Sequence, residues 1–248
     1  MQNIISKYFG ISKVLLVAAL VGGSLTNHIA AQQTTEVKTA IGTKKVWGTV
    51  DGVTIEGLVN GPSAAVADLQ IACVFEYTEG DIFKSPALPA ELNGMVHLDE
   101  ALKGIITEVR KTGKFKGYAL ETLLMDPPKG SMGSKKLLLI GLGDRNNFDA
   151  ELMKKVGAVA MREALRLKVQ TVSFASDIKD AGIDSPTALV AGNVVLGAFD
   201  AYRAQTYLNT QHVSEKMTVK KLILLAGPSF FTVAGGGIKD AIDQLNAK

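Results

Sequence analysis

Apolar residues fall in a distinct rhythm along this chain, and the rhythm predicts most of its elements. KVWGTV (45–50) and VTIEGLV (53–59) are β-rich runs flanking Asp51-Gly52, the signature of a hairpin with a tight turn. LQIACVFEY (69–77) is a longer, mostly apolar strand, followed by a loop holding Gly80, Pro86 and Pro89. Leu98, Leu102, Ile105, Ile106 and Val109 then recur at helical spacing. Asp99 suits the start of that helix, Arg110 and Lys111 its last turn, and Gly113 its close. ETLLMD (121–126) and KKLLLIG (135–141) read as strands separated by Pro127-Pro128-Lys129-Gly130. The second is apolar throughout, as a strand covered on both faces should be.

Leu152, Val156, Val159, Ala160, Ala164 and Leu167 mark the next helix, which Asn147 or Asp149 could cap. VQTVSFA (169–175) is a further strand, and Ser185-Pro186 opens a helix predicted to reach about Tyr202. That helix is apolar on nearly every side and is expected to be buried. KKLILLAG (220–227) is the last strand, and Gly235-Gly236-Gly237 leads into a short helix over 238–245. Alternating strands and helices predict an α/β chain, a three-layer αβα sandwich on a mixed, largely parallel sheet. Strand 135–141 is expected at its centre, with Leu123, Leu138, Ile140, Val172 and Leu224 buried. The hairpin lies in an N-terminal extension (32–66) of the same sheet, ahead of a main domain over 67–248.

The first thirty-one residues read differently. Lys7 and Lys13 precede the apolar stretch Val14 to Leu20, too short to span a bilayer, and Ile29-Ala30-Ala31 forms a small-residue cleavage site. The stretch reads as a signal peptide over 1–31 in preference to an N-terminal membrane anchor, so the chain is expected to be exported, to a periplasm or the outside. Beyond it stand 25 basic and 24 acidic residues, a net charge of +1. That balance gives no electrostatic case for binding nucleic acid, or a membrane after cleavage. Cys73 is the only cysteine, so no disulfide framework exists, and its apolar surroundings predict a core thiol.

Chemistry is sparse. Gly141-Leu142-Gly143-Asp144 follows an apolar strand, where ligands bind in open α/β sheets. A dinucleotide fingerprint needs a third glycine, and Asn146 and Asn147 occupy that region, so the pair reads as a tight turn. Gly235, Gly236 and Gly237 resemble the glycine-rich phosphate loop of macrodomains, although Ala226-Gly227-Pro228-Ser229 replaces the asparagine-rich segment expected before it. Gly141, Gly143, Asp144, Gly235, Gly236 and Gly237 are therefore the candidate ligand contacts. Asp149 and Glu151 suit a helix start. No His-x-x-x-His, paired cysteine or Gly-x-Ser-x-Gly occurs, so no catalytic residue, metal ligand or cofactor is expected.

The serial order of segments carries a resemblance. Leu98-Asp99-Glu100-Ala101-Leu102, then Gly113-Lys114-Phe115-Lys116-Gly117 with Glu121-Thr122-Leu123-Leu124, then Leu138 through Gly143, resembles the N-terminal domain of leucyl aminopeptidases over roughly 67–207. The resemblance implies a macrodomain-like fold in which Gly141-Leu142-Gly143 is a structural turn. In that family, catalysis belongs to a separate domain with two divalent metals, and its Asn-Thr-Asp-Ala-Glu-Gly-Arg-Leu and Phe-Asp-Ser-Gly-Gly signatures do not occur here. The implied role is a non-catalytic module binding a protein partner or assembling as a homo-oligomer. The alternative is a small-molecule module taking a nucleotide or ADP-ribose-like ligand in the macrodomain-like crevice.

Overall fold

Asp51 and Gly52 both take left-handed backbone angles, φ 47° and 79°, and turn β1 (Lys44–Val50) directly into β2 (Val53–Val59). Two positive φ angles in a two-residue turn match the twist of the flanking strands, which is why Asp-Gly serves there. The structure is a computed structural model that describes residues 38–247. The predicted signal peptide, 1–31, lies outside the described residues.

The remaining strands are β3 (Leu69–Val74), β4 (Thr122–Met125), β5 (Lys136–Gly141), β6 (Thr171–Ala175) and β7 (Lys221–Ala226). They form one sheet in the order β1-β2-β7-β6-β3-β5-β4. The five inner strands run parallel, and only β1 and β4 at the edges are antiparallel. The predicted mixed, largely parallel sheet is thus present, and the hairpin belongs to it through β2 and β7. The centre differs from expectation. β6 holds the middle, while β5 stands one place in from the β4 edge. Leu138, Ile140, Val172 and Leu224 are buried as predicted, but Leu123 on the edge strand is only partly covered.

α3 (Leu152–Arg166), α4 (Thr187–Thr210) and α5 (Phe231–Asn246) cover one face of the sheet. α1 (Gly94–Ala101) and α2 (Ile105–Lys111) cover the β3–β5–β4 part of the other. Where one helix was expected over 98–109, two occur, broken at Lys103 (φ 57°) and Gly104 (φ 80°). Asp99 caps the second of them: its Oδ1 accepts from the N–H groups of Ile106 and Thr107 at 2.9 and 3.1 Å. α4 runs two turns beyond Tyr202, to Thr210.

The triglycine requires a further correction. Gly235, Gly236 and Gly237 lie inside α5, not in a loop before it, and none has a positive φ. Tertiary packing outweighs the poor helix propensity of glycine. A side chain at Gly235 would run into the Trp47 indole, and one at Gly237 into the backbone carbonyl of Ala188 at the start of α4. The glycines let α5 sit against both.

Candidate functional site

The carboxyl ends of β2, β7 and β6 open together, and the segments that follow them wall a crevice of about 570 Å³. In parallel α/β sheets this end is the usual ligand side. Most of the wall is apolar: Trp47, Val59, Leu92, Leu225, Phe230 and Phe231 contribute to it. Phe231 lies against Trp47 with ring centroids 5.7 Å apart. Ile41 and Leu92, also in the lining, are 78% and 65% exposed.

The segment after β6 contributes Ser176, Asp177, Lys179 and Asp180 to the wall. Asp177, at φ 53°, accepts the Cys73 N–H through Oδ2 at 3.1 Å. Asp180 Oδ2 accepts the Gly94 N–H at 2.9 Å, at the N-terminus of α1. Asn93 caps the same helix, its Oδ1 accepting from Met95 and Val96 at 3.0 and 3.1 Å. Its amide donates to the carbonyls of Ile82, Leu88 and Asp180, which ties the long segment after β3 to the segment after β6. The free amides of α1, which would suit an anion, are therefore already bonded to the chain's own side chains.

Burial raises the Asp177 carboxyl well above the usual carboxylate range, and the neighbouring Asp180 adds to it. Asp180 is also raised, by burial first, while the N–H groups of Gly94 and Met95 and the nearby His97 pull the other way. Burial, then the Asp177 charge, pushes the Cys73 thiol far up, so it stays protonated and is a poor nucleophile. Among the described residues no group of three or more His, Cys, Asp or Glu gathers to hold a metal.

The residues singled out from sequence lie elsewhere; none of the six lines the crevice. Gly141 and Gly143 form a turn whose amides are bonded internally, to the carbonyls of Glu121 and Gly117 at 2.8 and 2.9 Å. A side chain on Gly141 would strike the Tyr118 carbonyl. Asp144 binds the Asn146 N–H at 2.9 Å and the side-chain amides of Asn146 and Asn147. The structure thus places Gly141, Gly143 and Asp144 in a turn bonded within the chain. It places Gly235, Gly236 and Gly237 in the interior of α5, where amides are bonded along the helix. The crevice residues that sequence reasoning missed are Asp177 and Asp180, with Asn93 capping α1 beside them. The available signal was Ser-Asp-Ile-Lys-Asp (176–180), acids placed directly after an apolar strand.

Residues 82–208 match the model of the cytosol aminopeptidase family, N-terminal domain. A probable cytosol aminopeptidase of Roseiflexus castenholzii is 29% identical over 140 residues, which is 56% of this chain and 28% of that protein. One of Burkholderia orbicola is 29% identical over 153 residues, 60% of this chain and 29% of its own length. The chain thus matches under a third of the length of these relatives. Among solved structures, a tomato leucine aminopeptidase mutant aligns with a TM-score of 0.54 at 20% identity, over 80% of this chain and 37% of that one. The Oceanobacillus iheyensis macrodomain with ADP aligns with a TM-score of 0.51 at 12% identity, over 82% and 98%. At such identities the likeness is one of fold.

Proposed function

From the premise that this chain belongs to the cytosol aminopeptidase family through its N-terminal domain, we propose that it is a non-catalytic binding module. It is exported on its first thirty-one residues, and its crevice is a contact surface for a protein partner. The observation that supports this reading most is the makeup of the crevice. The amides a phosphate would use are bonded to Asn93 and Asp180, and what remains open is an apolar wall beside the exposed Ile41 and Leu92. Exposed apolar side chains beside a concave apolar wall are typical of protein-contact sites. The sequence offers no catalytic motif, and the signatures of the peptidase domain do not occur in it.

A photo-reactive amino acid at position 92, in cells making the chain at native level, tests the partner. The expected result is one discrete adduct, weakened by Ile41→Asp. Adducts no different from those formed at Val213, an exposed position outside the crevice, would remove the reading. Leucyl anilide with added manganese should show no turnover; turnover abolished by chelation would remove the non-catalytic part. The mass of the exported form should correspond to a start at Gln32.

The alternative, a nucleotide or ADP-ribose-like ligand, draws on the fold shared with a macrodomain that binds ADP. Its phosphates would have to displace the Asp180 carboxylate from Gly94. Calorimetry with ADP-ribose should give no heat.

A further inference from the structure

We propose that the partner segment received by this crevice carries one lysine or arginine within an apolar stretch, with its cationic head against Asp177 and Asp180. The proposal rests on the reading of the crevice as a protein-contact surface and adds the chemistry of what it contacts. Asp177 and Asp180 both line the crevice. Each uses one carboxylate oxygen on a backbone N–H, of Cys73 and Gly94 respectively. Among the described residues neither belongs to an ion pair, although the two stand three residues apart on one short segment. Lys179, between them in sequence, is paired instead with Asp184 at 3.0 Å and lies 5.8 Å from the Phe230 ring. The other charged or titratable side chains in the lining are Lys38, Glu91 and His97, all exposed.

An entirely apolar occupant would cover two polar carboxyl groups and leave their remaining hydrogen-bonding atoms unmet, which is costly. An acidic occupant would add repulsion. A lysine or arginine brings charge-assisted hydrogen bonds to the carboxylates. Its methylene stem lies along apolar surface such as Trp47, Phe230 and Leu225. Burial is the first cause that raises the Asp177 and Asp180 carboxyl groups, and a cation seated against them would draw them toward the ionised form. Apolar neighbours on the same segment match Ile41 and Leu92 at the exposed part of the wall.

Trp47 is the only tryptophan in the chain and lines the crevice, so its fluorescence reports occupancy. The probes are the capped peptide acetyl-Ala-Leu-Val-Lys-Leu-Ala-amide and its counterparts with norleucine or glutamate in place of lysine. The lysine peptide should bind about tenfold more tightly than the norleucine peptide, and the glutamate peptide more weakly than either. Raising salt from about 0.05 to about 0.5 M should weaken the lysine peptide and leave the norleucine peptide unchanged. In Asp177→Asn/Asp180→Asn, which keeps acceptors for the Cys73 and Gly94 amides, the lysine and norleucine peptides should bind alike. Asp177→Asn alone should give an intermediate preference, and circular dichroism verifies that each variant is folded. Equal binding of the lysine and norleucine peptides by the unmodified protein would overturn the proposal while leaving the crevice reading in place. No response to any peptide would overturn both. Butylamine binding as tightly as the lysine peptide would overturn a polypeptide occupant.

Discussion

The indole of Trp47, on β1, fills the space that a side chain at Gly235, on α5, would occupy. This contact joins the edge hairpin to the last helix, and Phe231 on the same helix packs on the same ring. Gly236, one residue on, faces open space. Gly235→Ala should therefore destabilise the protein by about 1–3 kcal/mol through overpacking. Gly236→Ala should stabilise it by roughly 0.5–1 kcal/mol through helix propensity and a narrower unfolded ensemble. Urea titration of the two variants reads the opposite signs directly.

Arg110 is almost wholly buried, and its guanidinium meets Asp81 through two hydrogen bonds of 3.2 and 2.5 Å while also donating to the Phe75 carbonyl at 2.8 Å. Asp81→Ala leaves that charge without a partner and should lower stability by about 3–5 kcal/mol. Adding Arg110→Met to the same variant should restore most of the loss, as chemical denaturation would reveal.

Asp68 ties β3 to β6 and to the start of β5. Its Oδ2 accepts from the N–H groups of Gln170 and Thr171 and the Thr171 hydroxyl, and Oδ1 from Lys135 at 2.7 Å. Burial alone would raise its carboxyl, but Lys135 and the bonds from Thr171 and Gln170 outweigh it and hold the group at about 2. A depressed carboxyl stabilises the fold above its unfolded value of about 3.9 and loses that contribution as pH falls through about 2. Asp68→Ala should cost roughly 1–3 kcal/mol at neutral pH by stranding two backbone amides. Thermal melts from pH 7 down to about 2 should show the gap to the unmodified protein closing only below about pH 4.

Leu138, buried in β5, and Leu123, half-covered in β4, offer a paired test of the sheet order. Leu138→Ala should cost about 2–5 kcal/mol and Leu123→Ala markedly less. Equal losses in denaturant unfolding would contradict the edge position of β4.

What the sequence disclosed and what it withheld follow from the range of the forces involved. Asp51-Gly52, the uniformly apolar KLLLIG of β5 and the periodic face of α3 encode their structure within a few residues, and these elements occur as expected. The position of β5 within the sheet depends on crossovers that no local pattern records. The triglycine misleads because two of its residues answer to distant neighbours: Gly235 admits Trp47 from nearly two hundred residues away, and Gly237 admits the Ala188 carbonyl. The crevice is harder still to foresee. Its acids bond Cys73 and Gly94, and those contacts exist only once β3, α1 and β6 have met.

The pairing of Thr54 with Lys221 and of Val59 with Ala226 also fixes the order in which the sheet is completed. During synthesis the hairpin leaves the ribosome before the other described strands, yet among the described residues its parallel neighbour is β7, the last of them in sequence. Until β7 arrives, the hydrogen-bonding edges of β2 and β6 both lie open, facing the same gap. Such long-range pairing slows folding and leaves strand edges free to join other chains. β7 therefore acts as the keystone, and a chain broken off before Lys221 would carry a finished hairpin with nowhere to dock.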